Sequence, residues 1–99
     1  MTTEPQTTEI AKQSWVISKG HSKGMHVTVT LSVEYYSETA YEYVVRVHQT
    51  NLVSKGGRTE RTQYDATEAF LSKKRGVEQY NFELSARGCI DYEAKRITY

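Results

Sequence analysis

The sequence has one cysteine, one proline and no long apolar run, and each shortage removes a class of protein. A lone Cys89 can neither close an internal disulfide nor supply a multi-cysteine zinc site, which fits a reducing compartment and excludes a disulfide-stapled scaffold. No stretch approaches the ~18 consecutive apolar residues of a membrane-spanning helix. Residues 1–13 show neither the cationic patch nor the apolar block of a secretory leader. On that reading the chain is expected to be cytoplasmic, with no membrane partner. Excess charge is missing too: 13 basic against 12 acidic side chains leave +1 at neutral pH, so net charge alone implies no nucleic acid. Only 37% of the 99 residues are hydrophobic, enough for one modest core and no second domain.

What the chain does have is alternation. From His26 to Tyr36, Val27, Val29, Leu31, Val33 and Tyr35 alternate with Thr28, Thr30, Ser32, Glu34 and Tyr36, the period of a half-buried strand. Residues 41–49 repeat the pattern, with Tyr41, Tyr43, Val45 and Val47 opposed to Glu42, Arg46 and His48. Burying both apolar sets on one face of an antiparallel hairpin requires a connection of odd length. A three-residue loop at residues 38–40 sets Tyr35 opposite Tyr43 and Leu31 opposite Val47, whereas a five-residue loop sets Glu34 opposite Glu42. The shorter loop is expected, because like charges directly opposed are destabilising.

A second hairpin is expected around Ala86-Arg87-Gly88, with Leu84 facing Ile90, Phe82 facing Tyr92 and Tyr80 facing Ala94. Between the hairpins, Asp65 with Glu68 three residues later, the stripe Ala66, Ala69 and Phe70, and Gly76 as a stop predict a helix over residues 66–75. Lys73, Lys74 and Arg75 would then complement the negative end of its dipole. Residues 14–18 read as a short strand, and residues 1–13, polar around Pro5, as a flexible N-terminal arm. The single domain of residues 14–99 is expected to be α+β. Its mostly antiparallel sheet has about five strands, two hairpins plus the short N-terminal strand, with one short helix packed on one face.

No catalytic constellation is encoded locally. There is no Gly-x-Ser-x-Gly elbow, and Cys89, although near Arg87, reads most simply as a small residue beside a turn. The histidines are His21, His26 and His48, and the expected register separates the last two by about 13 Å, so no metal site is expected. Glu83 and Asp91 would face one another on the outer side of the second hairpin, where carboxylates stay solvated and ordinary. The reading is a non-enzyme with no catalytic residues, no metal and no cofactor.

Two surfaces remain. Lys19, His21 and Lys23 on one connection gather with Lys55 and Arg58 on another at one end of the long hairpin, where Gly20, Gly24, Gly56 and Gly57 let backbone amides approach an anion. Their spacing matches no nucleotide-binding fingerprint. Tyr36 and Val44 stand among threonines on the outward face of the first hairpin, whereas Tyr35, Tyr41, Tyr43, Tyr80 and Tyr92 are assigned to the core. By elimination, the expected function is that of a small binding protein, a regulator, inhibitor or accessory subunit. It would meet a protein partner, or a second copy of itself, through Tyr36 and Val44. The alternative is nucleic-acid or phosphate-ligand binding through Lys19, His21, Lys23, Lys55 and Arg58.

Overall fold

The alternating segments build an antiparallel meander in a computed structural model that describes residues 6–20, 23–55 and 57–98. Strands β1 (Gln6–Val16), β2 (His26–Tyr35), β3 (Tyr41–Lys55) and β4 (Arg58–Phe70) lie in the order β1-β2-β3-β4, followed by α1 (Lys73–Ala86) and a single turn, α2 (Tyr92–Lys95). The domain is α+β, with one helix packed against an antiparallel sheet, but the strands number four rather than five. Among the described residues no helix is long and apolar enough to cross a membrane.

Three local expectations are overturned, each by a longer-range pairing. Residues 6–13, read as part of an arm, belong to β1 and pair along β2 from Gln6↔Tyr35 to Val16↔His26, with a bulge between Glu9 and Ala11. Ladder hydrogen bonds to an ordered neighbour supply what the polar side chains cannot. Residues 66–70 continue β4, where Ala66, Glu68 and Phe70 sit opposite Val47, Val45 and Tyr43. The 13-residue ladder outweighs the cap signal at Asp65, and Ser72 instead caps α1, its hydroxyl accepting from the Arg75 amide at 3.4 Å. Residues 73–86, read as hairpin from Tyr80 onward, are helix. The 3.6-residue period of Gly76, Val77, Tyr80, Glu83 and Leu84 prevails over the period-two reading of Tyr80, Phe82 and Leu84. Gly88 stops this helix rather than turning a hairpin: at φ 70° it lets its own amide reach Ser85 O and the Cys89 amide reach Leu84 O.

The β2–β3 register is also the one the sequence argued against, with Tyr35↔Tyr41, Leu31↔Val45 and Glu34↔Glu42 across a five-residue connection. The like-charge objection fails because Arg46 Nη2 meets Glu34 Oε1 at 2.5 Å and the Tyr36 hydroxyl, 3.2 Å from an oxygen of each carboxylate, shares its one proton between them.

The core fills the helix-bearing face of the sheet. Val27, Val29, Leu31, Val45 and Val47 meet Val77, Tyr80 and Leu84 of α1, with Trp15, Ile17 and Cys89 at one end. Gly76 brings the helix close, since a Cβ there would lie 2.9 Å from Tyr43 Cβ. At the far end Trp15 Nε1 donates to Arg87 O at 3.0 Å, and Asn81 holds both backbone groups of Ile97. The 14 residues of α1 span about 21 Å, against about 50 Å for the 15 of β3, so the helix leaves sheet uncovered beyond it.

Candidate functional site

At the β2–β3 turn the sheet runs past the start of α1. Tyr35, Tyr41 and Tyr43 occupy the helix-bearing face there, as expected, but Tyr35 and Tyr41 are 40% and 42% exposed because no helix lies over them. Their rings cluster, with centroids 5.5 Å apart for Tyr35 and Tyr41 and 5.9 Å for Tyr41 and Tyr43. Lys73, Lys74 and Arg75 open α1 immediately before Gly76, which abuts Tyr43, so these exposed cations flank the cluster. Placing them in the last helical turn was wrong, and so was the dipole argument built on it. In the first turn, which holds no acidic residue, they add positive charge to the positive helix end. Only Arg75 has a described compensation, its guanidinium standing 5.7 Å from the centre of the Phe70 ring.

Of the pair expected as an interface on the opposite face, Val44 is buried and Tyr36 is exposed. Val44 is 2% exposed, set between Ser32 and Ala69 on the neighbouring strands and between Glu42 and Arg46 two residues away on its own. Tyr36 is 51% exposed, yet its hydroxyl is committed to Glu34 and Glu42. Arg46 beside Glu34 holds that carboxyl below its usual range against a smaller opposing push from burial. Partial desolvation and the two carboxylates push the Tyr36 hydroxyl up.

The other end holds a cleft of about 460 Å³ lined by Ile17, Lys19, Gln49, Ser85, Ala86, Arg87 and Gly88. Gln49 is 6% exposed; its Nε2 approaches Met25 Sδ at 3.5 Å and its Oε1 has no hydrogen-bond partner among the described residues. Arg87 is already engaged, with Nε 2.5 Å from Glu83 Oε2 and its guanidinium 5.2 Å from the centre of the Tyr64 ring. Of the expected basic group, Lys19 reaches this cleft. His21 lies outside the described residues. The Lys23 amide closes a turn onto Gly20 O, whereas Lys55 and Arg58 pair at the tip of the β3–β4 hairpin. That tip is five residues past Thr50, the partner of His26, and so about 17 Å farther along the strand. Arg87 and Gln49 were missed, the first because it was assigned to a hairpin turn and the second because a lone glutamine carries no signal.

The remaining candidates carry little chemistry. Burial pushes the Cys89 thiol up, which disfavours a reactive thiolate. Burial likewise raises the Tyr80 hydroxyl to about 12. Glu83 sits in α1, bonded by Gln79 and Arg87, and Asp91 is a left-handed residue ahead of α2, so they do not face one another across a hairpin. The true register makes His26 and His48 diagonal neighbours, but His48 Nδ1 is paired with Asp65. Among the described residues no group of three or more histidine, cysteine or acidic side chains could hold a metal ion. No family model matches the chain, and no curated protein or solved structure matches it either.

Proposed function

We propose that the chain is a small non-enzymatic protein-binding module, a regulator, inhibitor or accessory subunit, whose partner carries an acidic, partly apolar surface. The observation that carries this reading is the exposed pair Tyr35 and Tyr41, clustered with half-buried Tyr43 beside the cationic start of α1. Tyrosine offers a large amphipathic contact with few torsions to freeze, and aromatic residues are enriched at protein interfaces. The unneutralised helix start attracts a carboxylate. The alternative of a phosphate or nucleic-acid ligand draws support from Lys19 and Arg87 beside the cleft. Gln49 Oε1 and the negative end of α1 oppose it, because both call for a donor rather than an anion.

Crosslinking and affinity capture from a cell extract test the proposal, comparing the wild type with Tyr35→Ser/Tyr41→Ser and with Phe82→Ser, an exposed control on α1. A genuine partner loses about tenfold in affinity, ~1.4 kcal/mol, with the tyrosine variant and nothing with the control. Identical capture by all three proteins would overturn the reading. Binding to nucleic acid that weakens linearly in log salt would replace it with the alternative.

A further inference from the structure

Strand β4 is an edge with neither bulge nor proline, and its charges, with Glu68 on the helix-bearing face among them, restrict what can be added to it. Its 13 residues pair with β3 from Tyr43↔Phe70 to Lys55↔Arg58 without a register shift, and among the described residues no strand pairs with its other side. Such a row of unpaired backbone groups is a template for another strand, and natural edges are blunted by bulges, prolines, inward charges or brevity. At the opposite edge β1 carries a bulge between Glu9 and Ala11 followed by Lys12. β4 has neither bulge nor proline, and Gln63, Tyr64, Asp65, Thr67, Glu68 and Ala69 are all exposed.

We propose that two copies of this chain associate through β4, antiparallel, about a two-fold axis at Gln63, so that two four-stranded sheets become one of eight. The strand's charge order selects both the occupant and the register. With Gln63 opposite its own copy, Arg61 falls opposite Asp65 and Arg58 opposite Glu68, each pair occurring twice, and no like charges are directly opposed. Centring the axis on Tyr64 sets Glu60 against Glu68, centring it on Arg61 sets that arginine against itself, and centring it on Thr62 opposes no charges at all. Directly opposed residues share a face, and a two-fold axis perpendicular to the sheet preserves faces, so the pairing is geometrically closed. It also keeps both α1 helices on one side. The β3–β4 register puts Glu68 on the helix-bearing face and Asp65 on the other, so complementary positions occur on both sides of the seam. Asp65 is held on its own chain by His48 through one carboxylate oxygen, Oδ1. This association is independent of the tyrosine cluster, which lies on the sheet face at the β2–β3 turn.

The test is the mass of the full chain by sedimentation equilibrium over a concentration series, with circular dichroism as the check on folding. The wild type gives a monomer–dimer equilibrium. Arg61→Asp and Asp65→Arg, each opposing like charges, raise the dissociation constant at least about tenfold, and the double exchange Arg61→Asp/Asp65→Arg restores it. Because Asp65→Arg also removes the His48 pair and can unfold the strand, the exchange of Arg58 and Glu68 repeats the test on the other face. A wild type monomeric throughout, or single reversals without effect, would overturn the proposal. So would folded double exchanges that fail to restore association.

Discussion

Replacing Gly76 by alanine sets two effects of known size against each other. In an open helix interior, glycine is about 1 kcal/mol less favourable than alanine, so the substitution would stabilise a solvent-facing position by that amount. At Gly76 the added Cβ would stand 2.9 Å from Tyr43 Cβ and 3.4 Å from Leu31 Cδ1. Carbon atoms prefer about 3.5–4.0 Å, and Tyr43 Cβ is fixed to the β3 backbone, so no rotamer change can make room. The helix must lift instead, loosening Val77, Tyr80 and Leu84 against the sheet. Overpacking of this kind costs about 1–3 kcal/mol, which after the helix-propensity gain leaves a net loss of up to about 2 kcal/mol. Urea titration followed by the fluorescence of buried Trp15 reads this as a lower midpoint at unchanged slope. The melting temperature should fall by about 4–8 °C per kcal/mol lost. A variant about 1 kcal/mol more stable than the wild type would show that α1 does not press on β3 at this point, and the reasoning would be refuted.

Leu31, fully buried between the sheet and α1, should cost about 2–5 kcal/mol when truncated to alanine, and an unchanged denaturation midpoint would contradict its place at the centre of the core. Glu34→Gln should flatten the acid limb of the stability profile. Arg46 depresses the Glu34 carboxyl in the folded state, so its contribution is fully present above the unfolded value of about 4.3 and is lost as pH falls through the lower folded value. Urea midpoints for variant and wild type that run parallel from neutral pH into this acid range would refute the Glu34–Arg46 coupling.

The helix-bearing face of β2 and β3 was legible because period two is written in Val27, Val29, Leu31, Val45 and Val47 and the core needs no other information. The register was not legible. It turned on Glu34 and Glu42, whose repulsion is relieved by Arg46 and Tyr36, residues whose arrival over the carboxylates depends on the pairing being decided. β1 and β4 were misread for a related reason: their stability comes from ladders to neighbours, whereas local composition and a local cap signal pointed elsewhere. Tyr80 and Leu84 fit both periods, Phe82 fits only the period of two and is exposed, and Val77 and Gly76, outside the hairpin reading, decide for the helix. At the candidate site, Tyr35 and Tyr41 were assigned to the correct face, but their exposure depends on where α1 starts. That start moved seven residues once β4 claimed residues 66–70.

Where α1 starts and stops therefore decides which surfaces the molecule can use. Ser72 caps its first turn, Gly76 pins it against Tyr43 and Gly88 ends it beside Gln49, so the helix covers the middle of a sheet more than twice its length. One uncovered end receives the positive end of the helix with three added cations and offers tyrosine rings. The other receives the negative end and offers a cleft with an unpartnered amide oxygen. The two ends differ in sign because a helix is polar and a four-stranded antiparallel sheet is nearly not. The proposed acidic protein partner therefore suits the tyrosine end, and the same logic argues against the alternative of a phosphate in the cleft despite the lysine at its rim. Had Lys73, Lys74 and Arg75 closed the helix instead of opening it, they would have neutralised the cleft end, and the tyrosines would have faced a partner without a charge to select it.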